Sequence, residues 1–419
     1  MVPEGWSTQK FEDLVKQTQL GTTERGAEEF GGSQTPLIKM GNLTWGGFSL
    51  KSVELVDSQK IETNQMLKPG DFLFNTRNTP DLVGKSAVWK GEYGSATYDN
   101  NINRITFKKN IDSEYICYYL TTGKGKSKIR SLPAGSTSVS AIYWKDLKEI
   151  KVTLPPLPEQ KKIAQILSTW DQAITATERL LENSQQRKKG LMQQLLTGKK
   201  RLIAISPNLA TQKTRTGEIP SDWMYPKIAE VSSQVTNKNS DDQDLPVLSC
   251  SKHVGFVDSL SYFKKRVYSE DLTGYRVIPR GCIGFPSNHI EEGSIGLQNL
   301  YDYGLVSPIY VIARPDPKIV NADYLYALLK TDHYRQIFSA ATNASVDRRG
   351  SLRWKEFSQI RVPLPSLPEQ NQISEVLKLA TQEIEVNEAR LHLLKQEKKA
   401  LMQQLLTGKR RVQVDTEAA

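Results

Sequence analysis

The residues of this chain that could do chemistry fit no catalytic pattern. Gly123-Lys124-Gly125-Lys126-Ser127 resembles a phosphate-binding loop, but Leu120 stands where the G-x-x-x-x-G-K-[ST] pattern requires its first glycine. We therefore expect a basic, glycine-rich surface loop at this point of the chain rather than a nucleotide site.

Residues that could bind a metal are equally sparse. Cys250 and His253 have a ligand-like spacing, but no second pair accompanies them, so we predict no zinc site. The adjacent acids Asp241-Asp242 and Glu291-Glu292 are typical of a solvated face. The histidines are scattered and match no metalloprotease or nucleophile pattern: they are His253, His289, His333 and His392.

The sequence also lacks the tetrapeptides Asn-Pro-Pro-Tyr and Asp-Pro-Pro-Tyr. An enzyme that methylates amino groups of DNA would use such a motif to hold a flipped base. We therefore predict no catalytic residues and no metal site. The chain is expected to be a binding protein, and any chemistry is expected to belong to a partner. The alternative is a self-contained methyltransferase, and such a chain would bind S-adenosylmethionine without a partner.

An internal repeat defines the elements that position the binding residues. Leu157-Pro158-Glu159-Gln160 recurs at residues 367–370, and the stretch at residues 191–199 recurs at 401–409. Both copies lie 210 residues further on (157 to 367, 191 to 401), so no net residue was gained or lost between the two ends. The length of the repeated segment is therefore constrained.

The spacing inside each copy is that of a long helix with a heptad seam. Prolines precede each copy, while Gly198 and Gly408 stand where a helix would stop. A helix over residues 158–197 is about 60 Å long at about 1.5 Å per residue. It cannot bury its apolar stripe alone, so we predict that the two copies pair as an antiparallel coiled coil with pseudo-twofold symmetry. The alternative is two separate amphipathic helices, each packed on its own domain.

The predicted helix-pair interface consists of the apolar seam residues of both copies. These are Ile163, Leu167, Trp170, Ile174, Leu181, Leu191 and Leu195, with Ile373, Leu377, Ala380, Ile384, Leu391, Leu401 and Leu405. Thr177, Ser184 and Lys188 occupy further seam positions in the first copy, and Asn387, Leu394 and Lys398 do so in the second.

The segments around the helices predict two mixed domains, so the fold class is α+β. Short β-like runs lie at residues 72–74, 86–89 and 103–107, and a short helix is expected at 115–120. Tyr143-Trp144-Lys145-Asp146-Leu147 matches Arg353-Trp354-Lys355-Glu356-Phe357 at the same offset, so domain and helix are both duplicated. The predicted limits are a first domain at 1–153, a first helix at 154–200, a linker at 201–218, a second domain at 219–363, a second helix at 364–411 and a tail at 412–419.

The composition is that of a soluble protein, and the net charge favours a polyanionic partner. Of 419 residues, 38% are hydrophobic and 24% charged, which is ordinary for a soluble protein. The net charge of +10 favours a polyanion. Three cysteines form no paired framework, and neither a signal peptide at residues 1–6 nor a bilayer-spanning run is visible. We therefore expect a cytoplasmic protein.

The repeated motif also resembles a known family. Residues 154–160 with the helix that follows, repeated from residue 364, resemble the central and C-terminal conserved regions of the specificity (S) subunits of Type I restriction-modification enzymes. The order domain, helix, domain, helix extends the resemblance over essentially the whole chain. Residues 70–74 with 83–86 look like a pattern of that family's target-recognition domains, from which residues 281–285 depart at Cys282.

The resemblance implies a division of labour among subunits. Each domain would read one half of a bipartite site in double-stranded DNA, and the helix pair would set the unspecified spacer. Two methyltransferase (M) subunits would dock on the helices, and restriction (R) subunits would join them. S-adenosylmethionine, ATP and Mg²⁺ would be used by those partners and not by this chain. The alternative is a coiled-coil scaffold without DNA recognition, which leaves the basic charge and the diverged domains unexplained.

Candidate DNA contacts are polar residues on loops that flank the predicted strands, because such side chains can reach base edges or phosphates. In the first domain they are Thr76, Arg77, Asn78, Lys85, Arg104, Ser136, Thr137 and Ser138. In the second domain they are Asn288, His289, Asn343, Arg348, Arg349, Ser351 and Arg353.

Overall fold

The computed structural model describes residues 2–26, 33–135, 139–202, 210–215, 217–342 and 350–414. These residues form two compact units: unit 1 comprises Met1–Glu178 with Ala389–Ala419, and unit 2 comprises Arg179–Glu388. Within the described ranges, none of the helices combines the length and the hydropathy that crossing a bilayer demands.

Unit 1 contains short strands and helices, followed by the first part of a long helix. Its strands are β1 (Ser7–Lys10), β2 (Val15–Leu20), β3 (Gln34–Ile38), β4 (Glu54–Asp57), β5 (Phe72–Asn75), β6 (Arg77–Asn78), β7 (Ser86–Val88), β8 (Thr97–Tyr98), β9 (Ile102–Phe107), β10 (Ala134–Gly135), β11 (Ser140–Ala141) and β12 (Lys151–Leu154). Its helices are α1 (Phe11–Leu14), α2 (Ser113–Thr121), α3 (Gly123–Arg130), α4 (Trp144–Leu147) and the start of α5 (Leu157–Leu195), with 3-10 turns at Ser58–Lys60 and Thr63–Gln65.

The core of unit 1 forms around an antiparallel sheet of order β2-β9-β5-β7. All of β5 is buried, and Phe72 and Phe74 pack with Tyr115 of α2. Unit 1 also contains smaller sheets of order β4-β3-β8, β10-β11-β6 and β1-β12. The aromatic run of β5 thus becomes a central strand, as β-propensity and burial favour.

Unit 2 repeats this plan and contains the second long helix. Its strands are β13 (Thr211–Thr214), β14 (Gly217–Pro220), β15 (Ser232–Gln234), β16 (Leu248–Ser251), β17 (Gly255–Asp258), β18 (Arg276–Pro279), β19 (Ile283–Pro286), β20 (Gly296–Leu297), β21 (Tyr303–Val306) and β22 (Tyr310–Pro315). Its helices are α6 (Ile228–Val231), α7 (Ser259–Phe263), α8 (Ala322–Leu329), α9 (Asp332–Ala341), α10 (Trp354–Phe357) and the start of α11 (Leu367–Leu405), with a 3-10 turn at Ile290–Glu292.

The sheet of order β15-β22-β19-β20 is the unit 2 counterpart of the central sheet in unit 1. Ile283 and Phe285 of β19 are fully buried and pack with Tyr324 of α8 and Phe338 of α9. Pairs of strands, β16-β17, β18-β21 and β13-β14, complete the unit. The hairpin β13-β14 begins inside the stretch that the sequence predicts as a linker.

Each unit buries the start of one long helix against the end of the other. Ile163 and Leu167 of α5 share the unit 1 core with Leu405 of α11, and Leu195 of α5 shares the unit 2 core with Ile373 of α11. All of the predicted seam positions are buried or partly buried. Antiparallel pairing of the helices is therefore confirmed within each unit, whereas the pseudo-twofold relation of the halves stays a prediction.

The helix predicted over residues 158–197 agrees with α5 to within two residues, whereas the predicted limits 154–200 and 364–411 extend three to six residues beyond the ends of α5 and α11. One predicted loop is wrong. Gly198 and Gly408 have φ angles of 71° and 68°, the left-handed conformation that ends a helix. The basic stretch 123–127, expected as a loop, lies in helix α3 (Gly123–Arg130). Gly125 packs so closely on α2 that a Cβ there would meet the carbonyl oxygen of Tyr119, so this glycine permits close helix packing.

Candidate functional site

In unit 1 the candidate contacts lie where the central strand β5 ends. Arg77 and Asn78 form β6, which pairs with β11, and the Arg77 side chain is exposed. The Thr76 carbonyl oxygen accepts a hydrogen bond from Ile142 N–H at 2.9 Å, and its Oγ1 donates to the Asn101 carbonyl at 2.9 Å. The strand end is thereby fixed to two other segments of the domain.

Lys85 belongs to the same surface of unit 1. The Asn75 N–H, at the end of β5, donates to the Lys85 carbonyl oxygen at 2.8 Å. Lys85 is partly exposed, and burial of its ammonium group lowers its pKa from the ordinary value. Ser136, Thr137 and Ser138 lie outside the described residues, between the paired strands β10 and β11.

Arg104 has a different environment from the other candidates. It lies on β9 opposite Leu73, two residues before the strand end at Asn75. Its guanidinium donates to the carbonyl oxygens of Met66 and Asn64 at 3.1 and 2.6 Å, to Asp71 at 3.4 Å and to Gln19. The side chain is 14% exposed. Because its donors are used inside the domain, we remove Arg104 from the residues that we propose for DNA contact.

In unit 2 the corresponding candidates again come from two separate stretches. Asn288 and His289 follow β19, while Ser351 and Arg353 flank Leu352. The Leu352 N–H donates to the Ser287 carbonyl oxygen at 2.8 Å, which joins the two stretches. Arg353 is exposed at the start of α10. Asn343, Arg348 and Arg349 lie outside the described residues.

The hydrogen bond that joins these stretches is present in both units. Ile142 and Leu352 are equivalent positions 210 residues apart, and each donates to a residue that follows the central strand. The polar candidates of each unit, apart from Arg104 and those outside the described residues, therefore gather at one end of its central sheet. Each unit therefore has one surface with hydrogen-bond donors and acceptors at fixed positions, and such a surface can bind a ligand.

Lys330 holds the end of the loop that contains Asn288 and His289. Its ammonium group donates to the carbonyl oxygens of Gly293 and Lys252 at 2.8 Å and of Ile295 at 3.2 Å. These bonds connect the hairpin β16-β17 to the residues that follow the turn Ile290–Glu292. Burial lowers the pKa of Lys330, but three carbonyl acceptors stabilise its charged form.

His289 lies in a cluster that the sequence did not predict. Its Nδ1 is 3.2 Å from Glu292 Oε1, and potential ligand atoms of His289, Glu291 and Glu292 lie within 4.8 Å of one another. Asn288 Oδ1 and Glu291 Oε2 are buried and have no hydrogen-bond partner among the described residues.

Cys250 is a poor metal ligand, because burial raises the pKa of its thiol to about 12.

Buried glutamates of the repeated motif clamp the ends of the long helices. Glu159, at the start of α5, accepts two hydrogen bonds from Arg411 at 2.7 and 2.8 Å. Glu369, at the start of α11, accepts two from Arg201 at 2.5 and 2.7 Å. Each arginine follows the glycine that ends the other helix, so both ion pairs fix the antiparallel register within their unit.

The glutamine next to each glutamate joins the helix to its domain. Gln160 Oε1 accepts from the Asp112 N–H at 2.9 Å, and Gln370 Oε1 accepts from the Asn321 N–H at 2.8 Å. Asp112 and Asn321 are the N-cap residues of α2 and α8. The Glu-Gln repeat is therefore structural: its first residue holds the partner helix and its second holds the domain. Sequence reasoning missed both roles.

A groove on the helix pair occurs in equivalent form in both units. In unit 1 it has a volume of about 850 Å³, and its lining includes Ile174, Lys398, Lys399, Met402 and Leu406. In unit 2 a groove of about 700 Å³ has Ile384, Lys188, Lys189, Met192 and Leu196 at the equivalent positions. At these five equivalent positions the two grooves have the same residue types, with apolar side chains beside two adjacent lysines.

Comparison with known proteins places these features in a family. A model described as the Type I restriction modification DNA specificity domain matches residues 3–183 and again residues 220–396. The chain is 26% identical to a putative type I restriction enzyme MjaX specificity subunit of Methanocaldococcus jannaschii, over 98% of this chain and 95% of that protein. It is also 26% identical to the MjaVIII specificity subunit of the same organism, over 98% and 94%.

Solved structures show the same fold at lower sequence identity. The S subunit of a Type-I restriction-modification system from M. genitalium superposes with a TM-score of 0.56 at 15% identity, over 96% of both chains. A chain from a structural study of type I R-M complex assembly and conformational transition gives a TM-score of 0.50 at 15% identity, over 98% of this chain and 100% of that chain. At this identity the likeness concerns the fold.

Proposed function

Because this chain belongs to the family of Type I restriction modification DNA specificity proteins, we propose that it is the subunit that selects the DNA sequence for a Type I restriction-modification complex. The observation that carries the proposal is the double match of the family model, at residues 3–183 and 220–396. Each match covers one domain and most of the long helix that follows it. Two specificity domains in one chain suit a target of two halves, with the helix pair setting the spacer.

The candidate contacts give each half of the target a surface. Arginine and asparagine side chains can each make two hydrogen bonds with a base, guanine and adenine respectively. Arg77 and Asn78 in unit 1, and Arg353 in unit 2, supply these types at the end of the central sheet. A net charge of +10 adds attraction to the phosphate backbone.

Two M subunits dock on this chain in our proposal, one in each groove of the helix pair. The support is the repetition of Lys-Lys-x-x-Met-x-x-x-Leu, at 188–196 and 398–406, on both groove walls. Identical residue types at equivalent positions suit two copies of one partner, and the Met and Leu side chains offer an apolar contact. R subunits join that core to form the nuclease.

This chain is not catalytic in the proposal. Methyl transfer and DNA cleavage belong to the M and R subunits, which use S-adenosylmethionine, ATP and Mg²⁺. In the proposal the complex acts in the cytoplasm. The support is that Cys117, Cys250 and Cys282 are free thiols, which suits a reducing compartment.

The proposal is tested by reconstitution with the M subunit encoded by the same host. We expect native mass spectrometry to show two M subunits for each copy of this chain. We expect the complex to methylate DNA, and its DNA affinity to fall steeply as salt rises from about 50 to 200 mM, since counterions are released on binding. Methyl transfer by this chain alone would contradict the proposal, as would an M-containing complex whose DNA affinity does not depend on salt.

A further inference from the structure

The turn that follows β19 brings together three side chains with metal-binding atoms. His289 Nδ1 lies 3.2 Å from Glu292 Oε1, and one ligand atom from each of His289, Glu291 and Glu292 lies within 4.8 Å of the other two. Metal–ligand distances of about 2.0–2.2 Å place neighbouring ligands of one ion about 2.8–3.6 Å apart. His289 and Glu292 therefore already have the separation of two ligands on one ion.

Glu291 has a carboxylate oxygen that no other group of the described chain neutralises. Its Oε2 is buried and has no hydrogen-bond partner, and no other carboxylate among the described residues has such an oxygen. A protonated His289 would pair with Glu292, and that pair leaves Glu291 Oε2 without a partner. Burial of an unpaired carboxylate is costly, and a bound cation removes that cost.

The basic groups near the turn have other partners. Lys330 donates to the carbonyl oxygen of Gly293 at 2.8 Å. Arg335, whose Cδ would lie 3.9 Å from a Cβ on Gly293, forms an ion pair with Asp332 at 3.1 Å. Within the described part of the chain, neither basic group pairs with a carboxylate of the turn. The acidic charge of the turn therefore favours a cation from outside the chain.

Both ends of the turn are fixed, so the three ligands are held in place before an ion binds. The Ser287 carbonyl oxygen accepts from the Leu352 N–H at 2.8 Å, and the Gly293 carbonyl oxygen accepts from Lys330 at 2.8 Å. Inside the turn, the Gly293 N–H donates to the Ile290 carbonyl oxygen at 2.9 Å. Such pre-organisation lowers the entropic cost of binding.

The loop that follows the central strand of unit 1 is stabilised in another way. There β6 pairs with β11, and Asp81 forms an ion pair with Arg130 at 3.2 Å. Residues 76–83 contain no histidine and no acid besides Asp81. In unit 2 the residues after β19 form the 3-10 turn Ile290–Glu292 instead of a strand. The ligand set therefore occurs in the second domain and not in the equivalent loop of the first.

We propose that His289, Glu291 and Glu292 bind one Zn²⁺ ion, which fixes the loop after β19. An imidazole nitrogen with two carboxylate oxygens suits Zn²⁺, whereas Mg²⁺ prefers oxygen ligands and retains its water. This differs from the expectation, drawn from the sequence, of no metal site. The site itself is independent of the proposed function, but its effect on DNA recognition rests on that function. In that role His289 positions the reading surface of unit 2 and does not contact a base.

Metal binding is tested on the complex of the full-length chain with M subunits, by equilibrium dialysis against Zn²⁺ and elemental analysis. His289→Ala and Glu291→Gln are each expected to weaken the binding of one Zn²⁺ per copy of this chain by at least about tenfold, since even the partners of metal ligands contribute that much to affinity. Glu291→Gln keeps the shape of the side chain, so it separates the loss of a ligand from the loss of the fold.

His253→Ala is the matched control, because it removes an exposed histidine of the same unit that lies outside the cluster. It is expected to bind Zn²⁺ as the wild type does. Equal Zn²⁺ binding by the wild type and all three variants would overturn the proposal.

Hydrogen exchange measures whether the ion fixes the loop. Zn²⁺ is expected to slow amide exchange in residues 287–293 of the wild-type complex by about tenfold, and to have no such effect on the Glu291→Gln complex. Equal exchange of the wild type with and without Zn²⁺ would overturn this role of the ion.

The methylated motif separates this inference from the proposed function. In cells that express Glu291→Gln, recognition is expected to relax in one half of the motif and to stay unchanged in the other. An unchanged motif would overturn the role of the ion in recognition. A wild-type complex that binds Zn²⁺ but methylates no two-part motif would instead refute the proposed function, while the metal site would stand.

Discussion

Arg77 and Arg104 illustrate, at the scale of single residues, that the same residue type takes different roles within one domain. Arg77 is exposed on β6, whereas Arg104 is 14% exposed on β9 and donates to acceptors within the domain. A side chain whose donors are satisfied internally cannot read a base without breaking those bonds. We therefore keep Arg77 as a proposed DNA contact and propose that Arg104 stabilises the domain.

Replacement of Arg77 and Asn78 by alanine tests this assignment. We expect the double variant, in complex with M subunits, to relax recognition in one half of the DNA target and to leave the other half unchanged. Each lost base contact costs about 1–3 kcal/mol of discrimination. The measurement is sequencing of the methylated motif in cells that express the variant.

Arg104→Ala is the matched control for the double variant. It is expected to lower the free energy of unfolding by about 2 kcal/mol, since hydrogen bonds to a charged group are lost, while the methylated motif stays the same. A changed motif in the Arg104 variant, together with an unchanged motif in the Arg77 and Asn78 variant, would contradict the assignment.

The sequence predicts the candidate site partly, for reasons that differ between residues. The positions of Thr76, Arg77 and Asn288 after buried strands could be predicted, because buried strands are followed by polar loops. The inward role of Arg104 could not be found, because its partners come from residues 19 to 71 and no local spacing marks them. The cluster of His289 with Glu292 was missed because adjacent acids usually face solvent.

At the scale of elements, the long helices depend on their ends. Gly198 adopts a φ of 71°, and a Cβ on it would meet the ring of Pro220. Gly190, eight residues earlier, lies inside α5 with open space around its Cβ position. Gly198 is therefore required at the end of α5, whereas Gly190 weakens the interior of that helix.

Alanine substitutions at these two glycines are expected to have opposite effects on stability. Gly198→Ala should lower the free energy of unfolding by about 1–2 kcal/mol, since alanine is strained in the left-handed conformation. Gly190→Ala should raise it by about 0.5–1 kcal/mol, because alanine favours a helix interior. Urea unfolding of both variants measures the two values. Effects of the same sign would show that the helix end is assigned wrongly.

The helices were predictable from the sequence, but the contacts that fix them were not. Heptad spacing and the exact repeat place α5 and α11 and their seam, because apolar periodicity is a local signal. The pairing of Glu159 with Arg411 joins residues 252 positions apart, and no pattern of neighbouring residues announces it. Helix α3 was missed because its lysines and glycines are typical of a loop, whereas packing on α2 stabilises a helix.

At the scale of the whole molecule, duplication and divergence have separated two tasks. The helix ends, the Glu-Arg clamps and the Lys-Lys-x-x-Met-x-x-x-Leu motif of the grooves are the same in both copies, which suits contacts with one kind of partner. The residues after β5 and β19 differ, which suits two different DNA half-sites. Net charge, repeat and architecture were all visible in the sequence, whereas the cluster of His289, Glu291 and Glu292 required the structure.

The most direct test of the central claim is the DNA methylation pattern of the host with this gene intact and deleted, read by a modification-sensitive sequencing method. If the chain selects the target of a Type I complex, an adenine-methylated motif of two parts with a fixed gap is present with the gene and absent without it. An unchanged methylation pattern, while this gene and its neighbours are expressed, would contradict DNA recognition by this chain and favour a coiled-coil scaffold.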